Sequence, residues 1–228
     1  MKEKMDISKL KGKSLLMFGL AIIVFAAIFF IPAGTLDYWH GWLYMGVILI
    51  PMVFVVDYFF KHDPALLESR FRMKEKEREQ KNVVKYGSLL YLLIFLIPGL
   101  DYRFGWSHVP AEAAIISNAV VLLSYISVFM VMKENSYLSR IVEIQKGQKV
   151  ISTGPYAVVR HPMYTGVLMM FIASPLALGS YWALIPVAPI VPLIVYRLLN
   201  EEKVLLKGLR GYKEYCKKVR YRLVPFVW

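Results

Sequence analysis

A polar, turn-rich segment, residues 154–166, holds the side chains best suited to chemistry. It carries Arg160 and His161 together with Tyr156 and Tyr164, and it stands directly before an apolar run. A guanidinium can bind an anion through paired hydrogen bonds, and aromatic faces attract cations. The segment therefore predicts a ligand site beside a membrane span.

The backbone of this segment is predicted to be irregular, because Pro155 and Pro162 cannot lie inside a continuous helix. Irregular backbone near a membrane is tolerated where it lines a cavity. We therefore expect the N–H and C=O groups beside His161 to be free for a ligand. Considered alone, His161 could equally be a hydrogen-bonded histidine at the membrane interface.

A second charged group, Arg197, Glu201 and Glu202, follows another apolar run. Positions four apart share a helix face, so Arg197 and Glu201 should point the same way, with Glu202 turned by about 100°. This group could be an ion pair at a helix end, worth under about 1 kcal/mol if exposed. It could instead bind a ligand, with the arginine on an anionic group and a glutamate on hydroxyls or an amine.

The composition indicates an all-α polytopic membrane protein. The chain has 228 residues, of which 57% are hydrophobic and 14% aromatic, more than a soluble domain of this size usually contains. A helix needs about 20 apolar residues to cross a bilayer. This criterion predicts six transmembrane helices, at residues 14–32, 40–60, 86–100, 112–132, 163–179 and 181–198. The prolines of the sixth, Pro186, Pro189 and Pro192, should kink or break its helix.

The basic residues predict the orientation, since cytoplasmic segments carry most Lys and Arg. Arg103 is the only one of the 28 outside the predicted cytoplasmic segments, so both termini should be cytoplasmic. The net charge of +12 then indicates contact with anionic lipid head groups rather than with nucleic acid. Interfacial aromatic residues are expected in the exterior loops, at Tyr38, Trp39, Trp42, Tyr102, Trp106, Tyr181 and Trp182.

The loop after the second span should contain a short helix on the membrane surface. Asp63 is a typical N-cap, and Pro64 suits the first helical position. Leu66, Leu67, Phe71 and Met73 would give this helix an apolar face, and the mixed-charge run 74–79 should be solvated. The single cysteine, Cys216, allows neither an intramolecular disulfide nor a thiolate cluster, and no metal site is predicted.

Two motifs in order suggest a family. Gly154-Pro155-Tyr156…Arg160-His161-Pro162-Met163-Tyr164…Gly166 precedes Arg197…Glu201-Glu202…Leu205 and Tyr212…Tyr215. The combination resembles the C-terminal, cofactor-binding half of isoprenylcysteine carboxyl methyltransferases, and phospholipid N-methyltransferases share a looser version. The resemblance covers residues 133–226. It divides the chain into N-terminal transmembrane helices, 1–132, and a methyltransferase core, 133–228.

The resemblance implies an integral membrane methyltransferase that uses S-adenosyl-L-methionine, held in a pocket at the cytoplasmic interface. Arg197 would bind the substrate and act in catalysis. By the same resemblance the cofactor would be bound by Gln148, Val150, Ile151, Tyr156, His161, Pro162, Met163, Tyr164 and Glu201.

Several functions stay open at this stage. The acceptor could be the carboxylate of a prenyl-type lipid that reaches the site from the bilayer, or a phospholipid amine or a small thiol. Some sterol reductases have a similar C-terminal region that holds a nicotinamide cofactor, so an NADPH-dependent membrane reductase is a second possibility. A non-enzymatic membrane protein is a third. The sequence does not indicate the oligomeric state.

Overall fold

The computed structural model describes residues 7–70, 78–138 and 144–228. All regular secondary structure in this part of the chain is helical, which confirms the predicted all-α class. Two short 3-10 turns, Gly154–Ala157 and Trp182–Leu184, interrupt the connections. The α-helices are α1 (Ile7–Ala33), α2 (Trp39–His62), α3 (Pro64–Arg70), α4 (Arg78–Phe104), α5 (Ala111–Glu134), α6 (Pro162–Ala177), α7 (Ile190–Gly208) and α8 (Tyr212–Lys218).

Four of these helices, α1, α2, α4 and α5, are long and apolar enough to cross a membrane. They coincide with the first four predicted spans, so the protein is an integral, polytopic membrane protein. Helix α6 corresponds to the fifth predicted span. It is apolar but has only 16 residues.

The sixth predicted span, 181–198, is not one continuous helix. The chain forms the 3-10 turn Trp182–Leu184, and α7 begins only at Ile190. Pro186 and Pro189 explain the break, because proline supplies no backbone N–H to a helix interior and clashes with the preceding turn. Helix α7 then runs well beyond 198 and carries the second charged group on its later turns.

The helices approach each other closely where a glycine faces a neighbour. A Cβ at Gly166 of α6 would lie 2.8 Å from Val128 Cγ2 of α5, and one at Gly99 of α4 would lie 2.7 Å from the Phe29 carbonyl oxygen of α1. Small residues permit such backbone approach in membrane bundles. The contact at Gly166 holds the first turns of α6 against α5.

An aromatic core joins α1, α2 and α4, with Phe29, Tyr44 and Phe95 buried at its centre. Tyr44 also shares a hydrogen bond of 2.7 Å with the Ser174 hydroxyl of α6. Tyr38 belongs to this core. Its predicted interfacial position is wrong, because the side chain is fully buried and its hydroxyl donates to the Leu178 carbonyl.

A buried carboxylate ties α4 to the connection after α6. Asp101 is completely buried and accepts hydrogen bonds from the backbone N–H of Ser107, at 2.7 Å, and from the hydroxyls of Ser107 and Ser180. Charged groups within membrane helices are costly unless they are hydrogen-bonded in this way. This cluster lies at the far end of α6 from the turn that precedes Pro162.

Helix α3 starts as predicted, because the backbone N–H of Leu66 donates to Asp63 Oδ1 at 3.0 Å. Its apolar side does not lie on the membrane, however. Leu66 and Leu67 are buried against Phe59 of α2 and Leu10 of α1. The helix is only one residue from the end of α2, so it folds back onto the bundle. Phe71, Met73 and the side chains of the charged run 74–79 lie outside the described part of the chain.

Candidate functional site

A cavity of about 370 Å³ lies where α5, α6 and α7 meet the 3-10 turn Gly154–Ala157 and α8. Small-molecule sites are commonly clefts of this order of volume. All ten of the predicted site residues line it, although their roles stay predictions. They are Gln148, Val150, Ile151, Tyr156, His161, Pro162, Met163, Tyr164, Arg197 and Glu201.

The backbone around His161 is not free for a ligand, contrary to expectation. The N–H of Arg160 donates to the Tyr221 carbonyl at 2.9 Å, and the N–H of His161 donates to the Arg222 carbonyl at 3.0 Å. The carbonyl of His161 accepts from the first turn of α6. Residues 219–224 thus form an outer layer that fixes the turn, a long-range pairing that the local sequence does not reveal.

Behind this turn, four side chains form an ionic cluster around Glu202, of which Arg222 is 30% exposed and the other three are buried. Glu202 Oε1 lies 3.2 Å from His161 Nε2 and 3.1 Å from Arg160 Nε, while Oε2 accepts a hydrogen bond of 2.9 Å from Arg222 Nε. The side chains of Glu202, Arg160 and His161 are 6%, 8% and 4% exposed. The cluster joins α7, the turn before α6 and the C-terminal segment at one point.

Two opposed influences set the ionisation of Glu202. Burial is the largest, and by itself it would raise the pKa of this carboxyl. The hydrogen bonds with His161 and Arg222 and the charges of His161 and Arg160 together outweigh burial, so the pKa of Glu202 falls from 4.5 to about 2. Glu202 is therefore a stable carboxylate that holds the ring of His161, and it does not line the cavity.

On the cavity side, the neighbouring carboxylate has a different partner. The Tyr164 hydroxyl of α6 donates to Glu201 Oε2 at 2.6 Å, and the Arg197 guanidinium interacts with the same hydroxyl. Arg197 and Glu201 therefore face one space from one side of α7, as their spacing predicts. This arrangement leaves a cation, an anion and a hydroxyl close together on the wall formed by α6 and α7.

Tyr156, on the 3-10 turn, is fixed at the cavity wall by contacts at both of its ends. Its hydroxyl accepts from Asn135 Nδ2 at 2.9 Å, and its carbonyl accepts from the Tyr215 hydroxyl at 2.7 Å. Burial raises the pKa of the Tyr156 hydroxyl well above its usual value. Tyr156 is thus a neutral, rigid aromatic wall that α5 and α8 hold in place.

The cavity has a polar and an apolar part. Val167 and Phe171 of α6 and Ile194 of α7 line it along two apolar helices. Among the described residues that line it, four basic side chains, Arg70, Lys149, Arg160 and Arg197, face one carboxylate. A cavity with this charge balance favours an anionic group in its ligand.

Five polar residues are among the lining residues that the sequence did not assign to the site. Arg160 adjoins the histidine motif, and two tyrosines of α8 belong to the pattern that suggested the family, so signals for these three were present. The other two come from the ends of α3 and α5, and no local pattern pointed to them. The five are Arg70, Asn135, Arg160, Tyr212 and Tyr215.

Comparison with known proteins bears on this same region. Residues 113–210 match the family model of phospholipid methyltransferases. The matched stretch runs from α5 to the end of α7, so it includes both charged groups and most of the cavity wall. The match agrees with the general resemblance to membrane methyltransferases, although it does not distinguish the isoprenylcysteine type.

Two curated relatives are reductases. The chain is 35% identical over 85 residues to the Delta(14)-sterol reductase TM7SF2 of Mus musculus, covering 36% of this chain and 20% of that protein. It is 29% identical over 92 residues to the Delta(14)-sterol reductase erg24 of Schizosaccharomyces pombe, covering 39% of this chain and 22% of that protein. The similarity thus spans about a fifth of each reductase.

Proposed function

We propose that this protein is an S-adenosylmethionine-dependent methyltransferase that methylates a carboxylate on a lipophilic, prenyl-type substrate. The observation that carries the proposal is the convergence of all ten predicted residues on one cavity. The match of residues 113–210 to phospholipid methyltransferases supports the reaction class.

The cavity suits this cofactor in size and in chemistry. Its volume of about 370 Å³ is in the range of small-molecule sites. Glu201 offers an anion for an ammonium or sulfonium, the basic side chains offer partners for a carboxylate, and Tyr156 and Tyr164 offer aromatic faces for a cation. Tyr156, His161 and Glu201 would hold the cofactor, with Val150 and Ile151 against its apolar parts.

Bound S-adenosylmethionine supplies a methyl group that is already electrophilic, so the protein mainly has to orient the acceptor and exclude water. The cofactor, held by Tyr156, His161 and Glu201, would supply this methyl group to a carboxylate oxygen of the acceptor. The carboxylate is ionised at neutral pH, so no base has to remove a proton. Arg197 would fix its orientation through a bidentate contact.

The charge balance of the cavity favours a carboxylate over an amine as the acceptor. Four basic residues line it against Glu201 alone among the described lining residues, which disfavours a cationic ammonium group. An amine acceptor would also need a group to take its proton. Glu201 already accepts a hydrogen bond from the Tyr164 hydroxyl, which makes it a weaker base for this purpose.

The acceptor's apolar chain would reach the site from the bilayer along Val167, Phe171 and Ile194. The cofactor is water-soluble and would enter from the cytoplasm. The concentration of basic residues in the segments around the cavity supports this orientation. The same residues would contact anionic lipid head groups.

The test is calorimetric titration of the detergent-purified chain with S-adenosylmethionine, its demethylated product and NADPH. We expect micromolar binding of the first two, and loss of that binding in Glu201→Ala. A folded protein that binds neither would refute the assignment. Transfer of a radioactive methyl group to a prenylated cysteine carboxylate, compared with phosphatidylethanolamine and a small alkyl thiol, then identifies the acceptor.

The reductase relatives support one alternative, an NADPH-dependent membrane reductase. A cavity rich in arginine could also bind the phosphates of a dinucleotide. In the titration just described, binding of NADPH alone would replace the methyltransferase assignment with this one.

A further inference from the structure

Arg160 occupies an unusual position at the inner wall of the cavity. Its side chain is 8% exposed, and it lines the cavity, whereas its partner Glu202 and the second arginine on that partner, Arg222, do not. Its Nε lies 3.1 Å from Glu202 Oε1 but is not aligned for a hydrogen bond, and that N–H has no other partner. Arg160 thus lines the ligand space, while its buried Nε–H stays beside Glu202 without a hydrogen bond.

The ionic cluster around Glu202 carries more positive than negative charge. One carboxylate is shared by two guanidinium groups, from Arg160 and Arg222, and by His161. Arg222 is 30% exposed, so solvent screens its charge, whereas Arg160 is buried and shares its carboxylate partner. A buried charge without full compensation is costly. An anion in the adjoining cavity would compensate the excess positive charge. Of the two arginines, Arg160 is the one that lines this cavity.

The surroundings of Arg160 distinguish it from Arg197. Arg197 lies one turn beyond Ile194, on the wall that α6 and α7 form. Arg160 instead lies near Tyr212 and Tyr215 of α8, and its charge acts to lower the pKa of both hydroxyls against the larger effect of burial. The Tyr212 hydroxyl is also buried without a hydrogen-bond partner. The two arginines therefore lie on different elements, the turn before α6 and helix α7.

We propose that Arg160 binds the α-carboxylate of the amino-acid part of S-adenosylmethionine, while Arg197 serves the acceptor. This inference rests on the proposed function. A guanidinium presents paired donors that match a carboxylate, and its charge is independent of pH in the physiological range. Because Glu202 holds Arg160 from behind, the guanidinium is oriented before the ligand arrives, so little entropy is lost on binding.

The test compares two ligands that differ only in this carboxylate, S-adenosylmethionine and decarboxylated S-adenosylmethionine. Calorimetric titration of the detergent-purified full chain gives the ratio of their affinities. We expect Arg160→Gln to weaken the binding of S-adenosylmethionine by about tenfold or more, the usual effect of losing a charged hydrogen bond. Binding of the decarboxylated compound should stay unchanged or become tighter. Arg160→Lys, which keeps the charge beside Glu202, should lower the ratio less.

Arg222→Gln is the matched control, because it removes the other arginine of the cluster without touching the cavity. It should lower the midpoint of thermal unfolding but leave the affinity ratio as in the wild type. The inference would be overturned if Arg160→Gln left the ratio of the two affinities unchanged, or lowered both affinities equally. Arg160 would then have a structural role only. Failure of the folded wild type to bind either compound would instead overturn the proposed function itself.

Discussion

Replacing Glu202 with glutamine should lower the free energy of unfolding by about 3 kcal/mol at neutral pH. The folded protein holds the pKa of Glu202 at about 2, compared with 4.5 for an ordinary glutamate. A difference of this size corresponds to about 3 kcal/mol, at about 1.4 kcal/mol per pKa unit. Removing one partner of a buried ion pair typically costs a similar amount, about 3–5 kcal/mol.

The effect should depend on pH in a defined direction. Because folding lowers this pKa, the ionised carboxylate stabilises the fold fully above pH 4.5 and loses its contribution as the pH falls from 4.5 towards about 2. The difference in stability between wild type and Glu202→Gln should therefore be constant near neutrality. It should shrink in the acid range.

Thermal unfolding in detergent micelles, followed by circular dichroism, provides the assay. For a chain of this length about 3 kcal/mol corresponds to a fall of roughly 6–12 °C in Tm. Glu201→Gln is the control, because the side chain of Glu201 lies on the cavity side and outside the ionic cluster. The glutamine would still offer an acceptor oxygen to the Tyr164 hydroxyl, so the Tm of this variant should change little. If Glu202→Gln unfolds within about 2 °C of the wild type at neutral pH, the ionic cluster does not stabilise the fold.

Three further substitutions test the packing and the site. Gly166→Val should cost about 1–3 kcal/mol of stability, because its Cβ would meet Val128 at 2.8 Å. Gly19→Val is the control, because the space around its Cβ is open, and it should leave Tm unchanged. Equal Tm values for the two variants would contradict the α5–α6 contact. Asp101→Leu should cost roughly 2–3 kcal/mol by leaving hydroxyl and backbone donors unpaired, which chemical denaturation in micelles would detect. Tyr164→Phe should weaken S-adenosylmethionine by about three- to tenfold with little change in Tm, and unchanged affinity by calorimetry would exclude the hydroxyl from the site.

The first four membrane helices could be predicted because a long apolar run has few alternatives to a membrane helix. The sixth predicted span shows where hydropathy fails. Residues 181–198 are apolar enough, but Pro186 and Pro189 prevent a continuous helix, and hydropathy does not register the missing hydrogen bonds. The hydrogen bond between Asp101 and Ser180 could not be predicted either, because the two residues are distant in the sequence and adjacent only in the fold.

The cavity residues could be identified from a pattern of motifs, but the groups that orient them could not. Spacing on a helix indicates that Arg197 and Glu201 share a face. It does not indicate that Glu202, on another face, pairs with Arg222 or that residues near Tyr221 hold the His161 turn. Such contacts join segments far apart in the chain, and they depend on how α8 and the residues after it fold back.

The shortness of α6 relates the site to the lipid that surrounds it. Its 16 residues extend about 24 Å at 1.5 Å per residue, less than the roughly 30 Å of a typical hydrocarbon layer. A bilayer accommodates a short helix by thinning next to it. If α6 crosses the bilayer as the sequence predicts, head groups and acyl chains would be drawn towards its first turn, where the cavity lies. The thickness of the host membrane would then help to set the depth at which a lipid's reactive end meets the protein.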